Sequence, residues 1–395
     1  MSDRAAVVDA VSLRASLRVP PQVTDQEHSR AADEFVHRAT RAFAHGTPAP
    51  PAPEDDLWVL RAIEAGVLAP VVRALQRSGH PVPHGLSRLP LEAAARHLRT
   101  MDELAGLVDG LDRAGVRHAV LKGPVLRSVV FEQKDVRDYA DLDLLVGPRQ
   151  LRATLRVLGE QGATLLPTDW EHATRARTAE LALAMPNGTM LDLHCHLLNR
   201  GRVREGYHIV TEELLDRAVV RDLSGARAMT LDDLDLVLHV LIHACLSGCH
   251  QLRWLLDVQQ CTQWLDAHPG DLARRAREMG VELPARAALD AVADHLDERA
   301  SGWAEAVGRA TPWTSALQRI GRNRPPSAPS RSARTARTWY AATRRSDVRS
   351  WRSAAGSAAR AVRYARSPWP APRRLVAALS DPGLQTWLSQ AEQLS

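Results

Sequence analysis

Lysine is all but missing from this chain. Of 51 Lys and Arg residues only Lys122 and Lys134 are lysine. Cysteine is sparse as well. Cys195, Cys245, Cys249 and Cys261 show no disulfide-framework spacing, which excludes a disulfide-stapled scaffold and leaves reduced thiols as the expectation. No apolar run approaches the roughly 20 residues of a membrane span, and the start MSDRAAVVDAV has no signal-peptide core. The expected compartment is therefore cytoplasmic. No internal repeat is visible.

What is present is an ordinary globular balance. Hydrophobic residues make up 45% and charged residues 25% of 395, enough to bury the cores of more than one domain. The net charge of +5 is unevenly spread. Residues 319–395 carry fifteen arginines against Asp347, Asp381 and Glu392, a local +12 that leaves −7 for the rest.

Residues 1–53 read as an extension with one helix around 27–43, closed by the linker Thr47-Pro48-Ala49-Pro50-Pro51-Ala52-Pro53. Residues 54–112 show helical spacing at Leu57, Leu60, Ile63 and Val67, and again from Leu91 to Leu111. Over 113–200 strands and helices alternate. A strand at 117–121 comes first, and a helix opened by Gly147-Pro148 carries Leu151, Leu155 and Leu158. A hairpin of 181–185 and 189–197 follows, around Asn187-Gly188. From 211 to about 313, within the segment 201–315, the pattern predicts helix throughout, with Gly225, Gly270 and Gly280 as stops. The last segment, 316–395, is the basic one and follows the stretch Arg324-Pro325-Pro326-Ser327-Ala328-Pro329-Ser330. In it Arg345, Arg349 and Arg352 interleave with Trp339, Trp351 and Trp369. Such a stripe suits weak contact with polyanions, RNA or anionic lipid, or docking on the acidic body through its tryptophans; docking is favoured. The fold class is α+β, a small mixed sheet flanked by N-terminal helices and a helical C-terminal domain.

The organising stretch is 118–146. A short apolar run ends in Lys122-Gly123, a helix-length segment follows, and then comes Asp141-Leu142-Asp143-Leu144-Leu145-Val146. In a strand, residues two apart share a face, so Asp141 and Asp143 point together while Leu142 and Leu144 enter a core. The two carboxylates repel each other unless a cation intervenes, so Asn at either position is expected to relieve the metal-free protein. Hard oxygen donors with no thiol nearby suit Mg²⁺. The hairpin brings a third carboxylate, Asp192, onto a neighbouring strand through Leu191-Asp192-Leu193-His194. Lys122, a compact ammonium beside a glycine, suits a phosphate contact.

Leu121-Lys122-Gly123, then Arg137 with Asp141-Leu142-Asp143-Leu144-Leu145-Val146, then Asp192-Leu193-His194 resemble the motifs of the DNA polymerase β-like nucleotidyltransferase superfamily. More narrowly, the chain is similar to the bacterial family of uncharacterised nucleotidyltransferases. The likeness covers roughly residues 56 to 300, including His243 to His250, Leu252-Arg253-Trp254 and Asp257. It implies a polymerase β-like sheet and an enzyme that moves a nucleoside monophosphate from an NTP onto a hydroxyl of an unspecified acceptor. Two Mg²⁺ ions would then sit on Asp141, Asp143 and Asp192, with Lys122 and Gly123 on the triphosphate. Where the superfamily has Gly-Ser or Gly-Gly, this chain has Gly123-Pro124, which removes one backbone donor and still allows a helix to start.

Other residues leave alternatives open. Arg137 and Tyr139 share the face of the aspartates; Arg137 suits a phosphate or carboxylate, and Tyr139 a base or the sheet edge. His239, His243 and His250 form one helical stripe, but without a Cys-x-x-Cys the nearby thiols make no zinc set. His243 and His250 are expected above the sheet, near the nucleotide. Two rival functions remain: a degenerate nucleotide-binding or scaffold protein, motivated by Pro124, and a metal-dependent hydrolase on Asp192, His194 and His196.

Overall fold

Strands β1 (His118–Leu121), β2 (Asp141–Val146), β3 (Thr164–Leu165), β4 (Glu180–Ala184), β5 (Met190–His194), β6 (Val219–Leu223), β7 (Ala226–Thr230) and β8 (Arg373–Arg374) form one mixed sheet in the order β6-β7-β1-β2-β5-β4-β3-β8. They come from a computed structural model that describes residues 26–322, 330–360 and 373–394. The extension before residue 26, the Pro/Ser stretch 324–329 and Trp369 lie outside the described residues. With helices packed around this sheet, the protein is α+β.

The site's strands are set by two connections. β1 and β2 run antiparallel in the register Leu121↔Asp143, joined by a short helix Gly123–Val125, a π-helical turn Leu126–Val130 and a 3₁₀ turn Lys134–Val136. β2 and β5 run parallel, which requires a crossover, supplied by the helix Leu151–Glu160 and by β3 and β4. β4 and β5 form the hairpin expected around Asn187-Gly188, with Gly188 at φ 87°. Leu142, Leu144, Leu181, Leu183, Leu191 and Leu193 are all buried, so one face is a leucine layer and the alternate residues make a polar face.

Residues 211–313 are not helical throughout. Val219–Leu223 and Ala226–Thr230 form a hairpin, and Thr230 pairs with Val120 to extend the sheet beyond β1. Gly225 is a turn residue and not a helix stop: Ser224 and Gly225 have φ of 62° and 102°, the left-handed pair of a tight hairpin. The alternation in Val219-Val220-Arg221-Asp222-Leu223 carries this signal, and the helical spacing on either side masks it. The remainder of that segment is helical, from Asp233–Ser247 through Ala300–Val307.

The proline-rich run is anchored and does not hang free. Ala49 is buried; its N–H donates to Ser78 Oγ at 2.7 Å and its carbonyl accepts from His80 at 3.0 Å. The helix before it, Gln26–His45, buries Phe35 edge-on against Trp58 and reaches Leu296 O through His45. One hydrophobic core includes residues from Ala32 to Ala391. No helix among the described residues is long and apolar enough to cross a membrane.

The described part of the basic segment docks inward. Trp313, Trp339 and Trp351 form a ring cluster with centroids 5.0–5.7 Å apart. Tyr207 donates to Thr343 O at 2.9 Å, and the Trp313 indole donates to Thr343 Oγ1 at 3.0 Å. Further on, β8 closes the sheet edge against β3, and Trp387 is fully buried with its indole N–H on Thr178. Trp387→Ala should therefore destabilise the fold by about 3–5 kcal/mol, the usual cost of emptying a buried tryptophan site. Urea unfolding checks this, and an unchanged midpoint would contradict the docking described.

Candidate active site

The polar face of the sheet gathers its charges where β1 ends and where β2, β5 and β4 lie side by side. Asp143 pairs with Asp192 across β2–β5, Asp192 with Ala182 across β5–β4, and His194 with Glu180 one step along. Cross-strand partners share a face, so register alone assembles Asp143, Asp192, His194 and Glu180. Ligand atoms of Asp143, Asp192 and His194 lie within 4.8 Å of one another. Asp141, partly exposed at the start of β2, stands on the same face outside that trio.

Lys122 reaches this face through an unusual backbone. Since Leu121 pairs with Asp143, a regular strand would turn residue 122 to the leucine side. Instead Lys122 adopts φ 34° and ψ −106°, a sparsely populated positive-φ conformation costing on the order of 1–3 kcal/mol for a residue with a Cβ. Its Nζ lies 3.4 Å from Asp143 Oδ1. Gly123 follows at a close approach: a Cβ there would stand 3.0 Å from the Tyr139 ring, which would have to shift to admit it. Pro124 opens the short helix within its first turn, where a missing amide costs least.

The charges are not equivalent. Asp143 is buried, yet Lys122 and the hydrogen bond from His194 Nε2 at 2.8 Å outweigh desolvation and hold its pKa well below the carboxylate range. Burial works against Lys122, and the carboxylates of Asp143, Asp141, Glu180 and Asp192 overcome it, raising its pKa. His194 is likewise raised despite burial, by its bond to Asp143 and the charge of Glu180. Asp192 bears the repulsion. Burial, then Glu180 and Asp143, push it up to about 7. The expectation that Asn at Asp143 would relieve the metal-free protein is thereby corrected: that carboxylate is the counter-ion of Lys122 and His194.

The other residues singled out in the sequence fall into place around this cluster. Arg137 is buried and forms a two-point ion pair with Asp257, Nε–Oδ1 2.6 Å and Nη2–Oδ2 2.8 Å, binding the approach to β2 to the helix Leu252–Trp264. Its guanidinium thus meets a carboxylate of the protein itself. Tyr139 neither faces a base nor covers an edge. It is buried, its ring on Gly123 and its hydroxyl 2.7 Å from His97 Nδ1. The expected single helical stripe of histidines is broken. The helix Asp233–Ser247 carries His239 and His243 and ends at the left-handed Gly248, before His250. His243 and His250 meet instead by stacking edge-on against Trp254, at 5.6 and 4.7 Å. Burial, then Lys122, holds His239 and His243 well below the usual imidazole range, so both are neutral beside the cluster. His196 does not join His194: β5 ends before it, and its ring nitrogens meet Ile209 O at 3.0 Å and Leu198 N–H at 2.9 Å.

Glu180 is the residue that sequence reasoning missed. Its Oε2 accepts from Asn199 Nδ2 at 3.0 Å and lies 3.8 Å from His194 Nδ1. The signal was available. Counting outward from Asn187 in the hairpin pairs Ala182 with Asp192 and Glu180 with His194.

A raised carboxyl pKa gives a defined pH dependence. Between the ordinary value of 3.8 and about 7 the folded state holds a proton on Asp192 that the unfolded chain releases. Stability from this group is therefore complete at low pH and is lost as pH rises through that window. In chelator-containing buffer, Asp192→Asn should gain stability over the parent at pH 8, on the order of a few kcal/mol, and none at pH 4. Thermal melts across pH check it; equal melting temperatures at pH 8 would contradict the repulsion.

No curated protein matches the chain. The family model described as uncharacterised nucleotidyltransferase matches residues 52–297, a span that holds the whole acidic cluster, Lys122 and the Arg137–Asp257 pair. The chain belongs to this nucleotidyltransferase family.

Proposed function

We propose that the protein is a Mg²⁺-dependent nucleotidyltransferase with a polymerase β-like core, placed in that superfamily's bacterial branch, which moves a nucleoside monophosphate from an NTP, ATP among the candidates, to a hydroxyl acceptor. The observation that carries the proposal is the in-register pairing of Asp143 with Asp192 on adjacent parallel strands, with the Lys122 ammonium 3.4 Å from Asp143. Four carboxylates share one sheet face with two cationic partners, Lys122 and His194, and this excess of acidic groups suits divalent cations, while the oxygen donors suit Mg²⁺. Asp141, Asp143 and Asp192 would hold the ions. Bound there, Mg²⁺ supplies charge neutralisation at the attacking and leaving oxygens.

The chain's own groups account for the remaining tasks. Lys122 offers a point charge to the triphosphate, beside the Gly123 amide. Asp192, paired in register with Asp143, would accept the proton of the acceptor hydroxyl. Arg137 acts by positioning, since its pair with Asp257 fixes the chain entering β2. His243, on the helix Asp233–Ser247, and His250, in the turn after it, both stacked on Trp254, form the wall that we assign to the nucleotide side. The hydrolase reading is disfavoured because His196 is committed to the backbone.

Transfer of α-³²P from labelled NTPs to candidate acceptors tests the proposal. Asp143→Asn and Asp192→Asn should each lower transfer by at least about 10²-fold, as loss of a ligand for a metal-bound step implies. NTP binding without transfer to any acceptor would favour the scaffold reading, and full activity in both variants would refute the site.

The lysine has its own test, read by calorimetry with NTP. Lys122→Ala should weaken nucleotide binding by about tenfold or more, and Lys122→Arg should restore it only in part, since a planar fork replaces a compact charge. Equal affinity in all three proteins would mean that the lysine makes no phosphate contact.

A further inference from the structure

The feature left unused by that reading is the imidazole inside the carboxylate cluster. His194 is buried, 6% exposed, at the end of β5. Its Nε2 stands 2.8 Å from Asp143 Oδ1, and the His194, Asp143 and Asp192 donor atoms converge within 4.8 Å. Neighbouring vertices of an octahedron with bonds of about 2.1 Å are about 3 Å apart. The imidazole and the carboxylate already stand at the separation of two ligands of one ion.

The other ring nitrogen has the matching peculiarity. Nδ1 of His194 is buried and has no hydrogen-bond partner. The carboxylate oxygen beside it is Glu180 Oε2, 3.8 Å away on the paired strand, and Asn199 holds that oxygen from its other side at 3.0 Å. An imidazole that ligates a metal through one nitrogen commonly directs the other N–H to a carboxylate, which fixes the ring and its tautomer. Glu180, His194 and the convergent donors have that order. A second buried imidazole, His239, has an unpartnered Nδ1 and feels the charges of Lys122, Asp143 and His194, so the neighbourhood is rich in nitrogen as well as oxygen.

We infer that His194 is a direct ligand of the site's cation, with Glu180 as its positioning residue, and that the site therefore favours a first-row transition ion over Mg²⁺. This rests on the divalent-cation reading above and adds a ligand and a metal class. Mg²⁺ takes oxygen donors and keeps its waters, whereas a nitrogen donor raises affinity along the series from Mn²⁺ to Co²⁺.

Calorimetric titration of the full chain with Mg²⁺, Mn²⁺ and Co²⁺ tests the inference, alongside pulsed electron paramagnetic resonance of the Mn²⁺-loaded parent. Co²⁺ should bind at least about tenfold more tightly than Mg²⁺, with Mn²⁺ between. His194→Gln, which exchanges a nitrogen donor for oxygen, should remove most of that advantage while Mg²⁺ affinity stays within about threefold. Glu180→Gln should weaken Co²⁺ by about tenfold through the misoriented ring. The resonance spectrum should show nitrogen coupled directly to Mn²⁺, a readout that needs no variant to fold. Absence of that coupling, or an undiminished Co²⁺ advantage in His194→Gln, overturns the inference and leaves the Mg²⁺ reading standing. Failure of all three ions to bind overturns both.

Discussion

The site depends on one buried anion. Asp143 is held between the Lys122 ammonium, just past the end of β1, and the His194 ring at the end of β5. A carboxylate buried this deeply is tolerable only when its charge is matched and its lone pairs are engaged. That requirement reaches back into the backbone. Lys122 must leave regular strand geometry to face Asp143, and Gly123 must follow so that Tyr139 can close over the turn. The Tyr139 hydroxyl in turn rests on His97 of the long helix Leu89–Arg113. A single pairing thus fixes the end of β1, the loop after it and the helix beneath.

Around that anion the charge is deliberately unequal in effect, though every carboxylate is chemically alike. Asp143 receives the cations and stays ionised, while Asp192 receives the neighbours of like sign and holds its proton up to about pH 7. Identical side chains one strand apart therefore differ in what they can do: one is a fixed negative charge, the other an acceptor or donor of a proton near neutrality. The Arg137–Asp257 pair is a separate matter. It is buried and satisfied at both oxygens, and it links the chain entering β2 to the helix Leu252–Trp264, on which His243 and His250 lean through Trp254. Buried pairs of this kind are poor sources of net stability but fix geometry, because either partner alone would be an uncompensated charge.

The basic segment shows how little composition says about placement. Its +12 could have tracked polyanions, yet the described residues use aromatic rings to pack on the body and donate one strand to the sheet. Arg373 and Arg374 remain exposed while Leu375 and Trp387 beside them are buried. Apolar contact sets the docking there, and Arg373 and Arg374 stay where solvent can screen them.

By itself the sequence determined the local geometry. Alternation in 141–146 and 190–194 fixed which residues face the core, and Asn187-Gly188 fixed the hairpin. From these, Asp143 and Asp192 on one face were legible, as was the lysine that arginine bias had spared. A two-residue turn at Ser224-Gly225 was legible in principle but was outweighed by the helical spacing on both sides of it. Tertiary structure decided everything that needs two distant segments. No local pattern states that Arg137 meets Asp257, 120 residues on, or that Tyr139 turns from the aspartate face to cover Gly123. Nor does period-two alternation survive the end of a strand, which is why His194 joins the cluster and His196, two residues later, bonds to Ile209 and Leu198. Periodicity assigns a face only while the backbone stays regular; where it kinks, as at Lys122, packing and charge choose the direction.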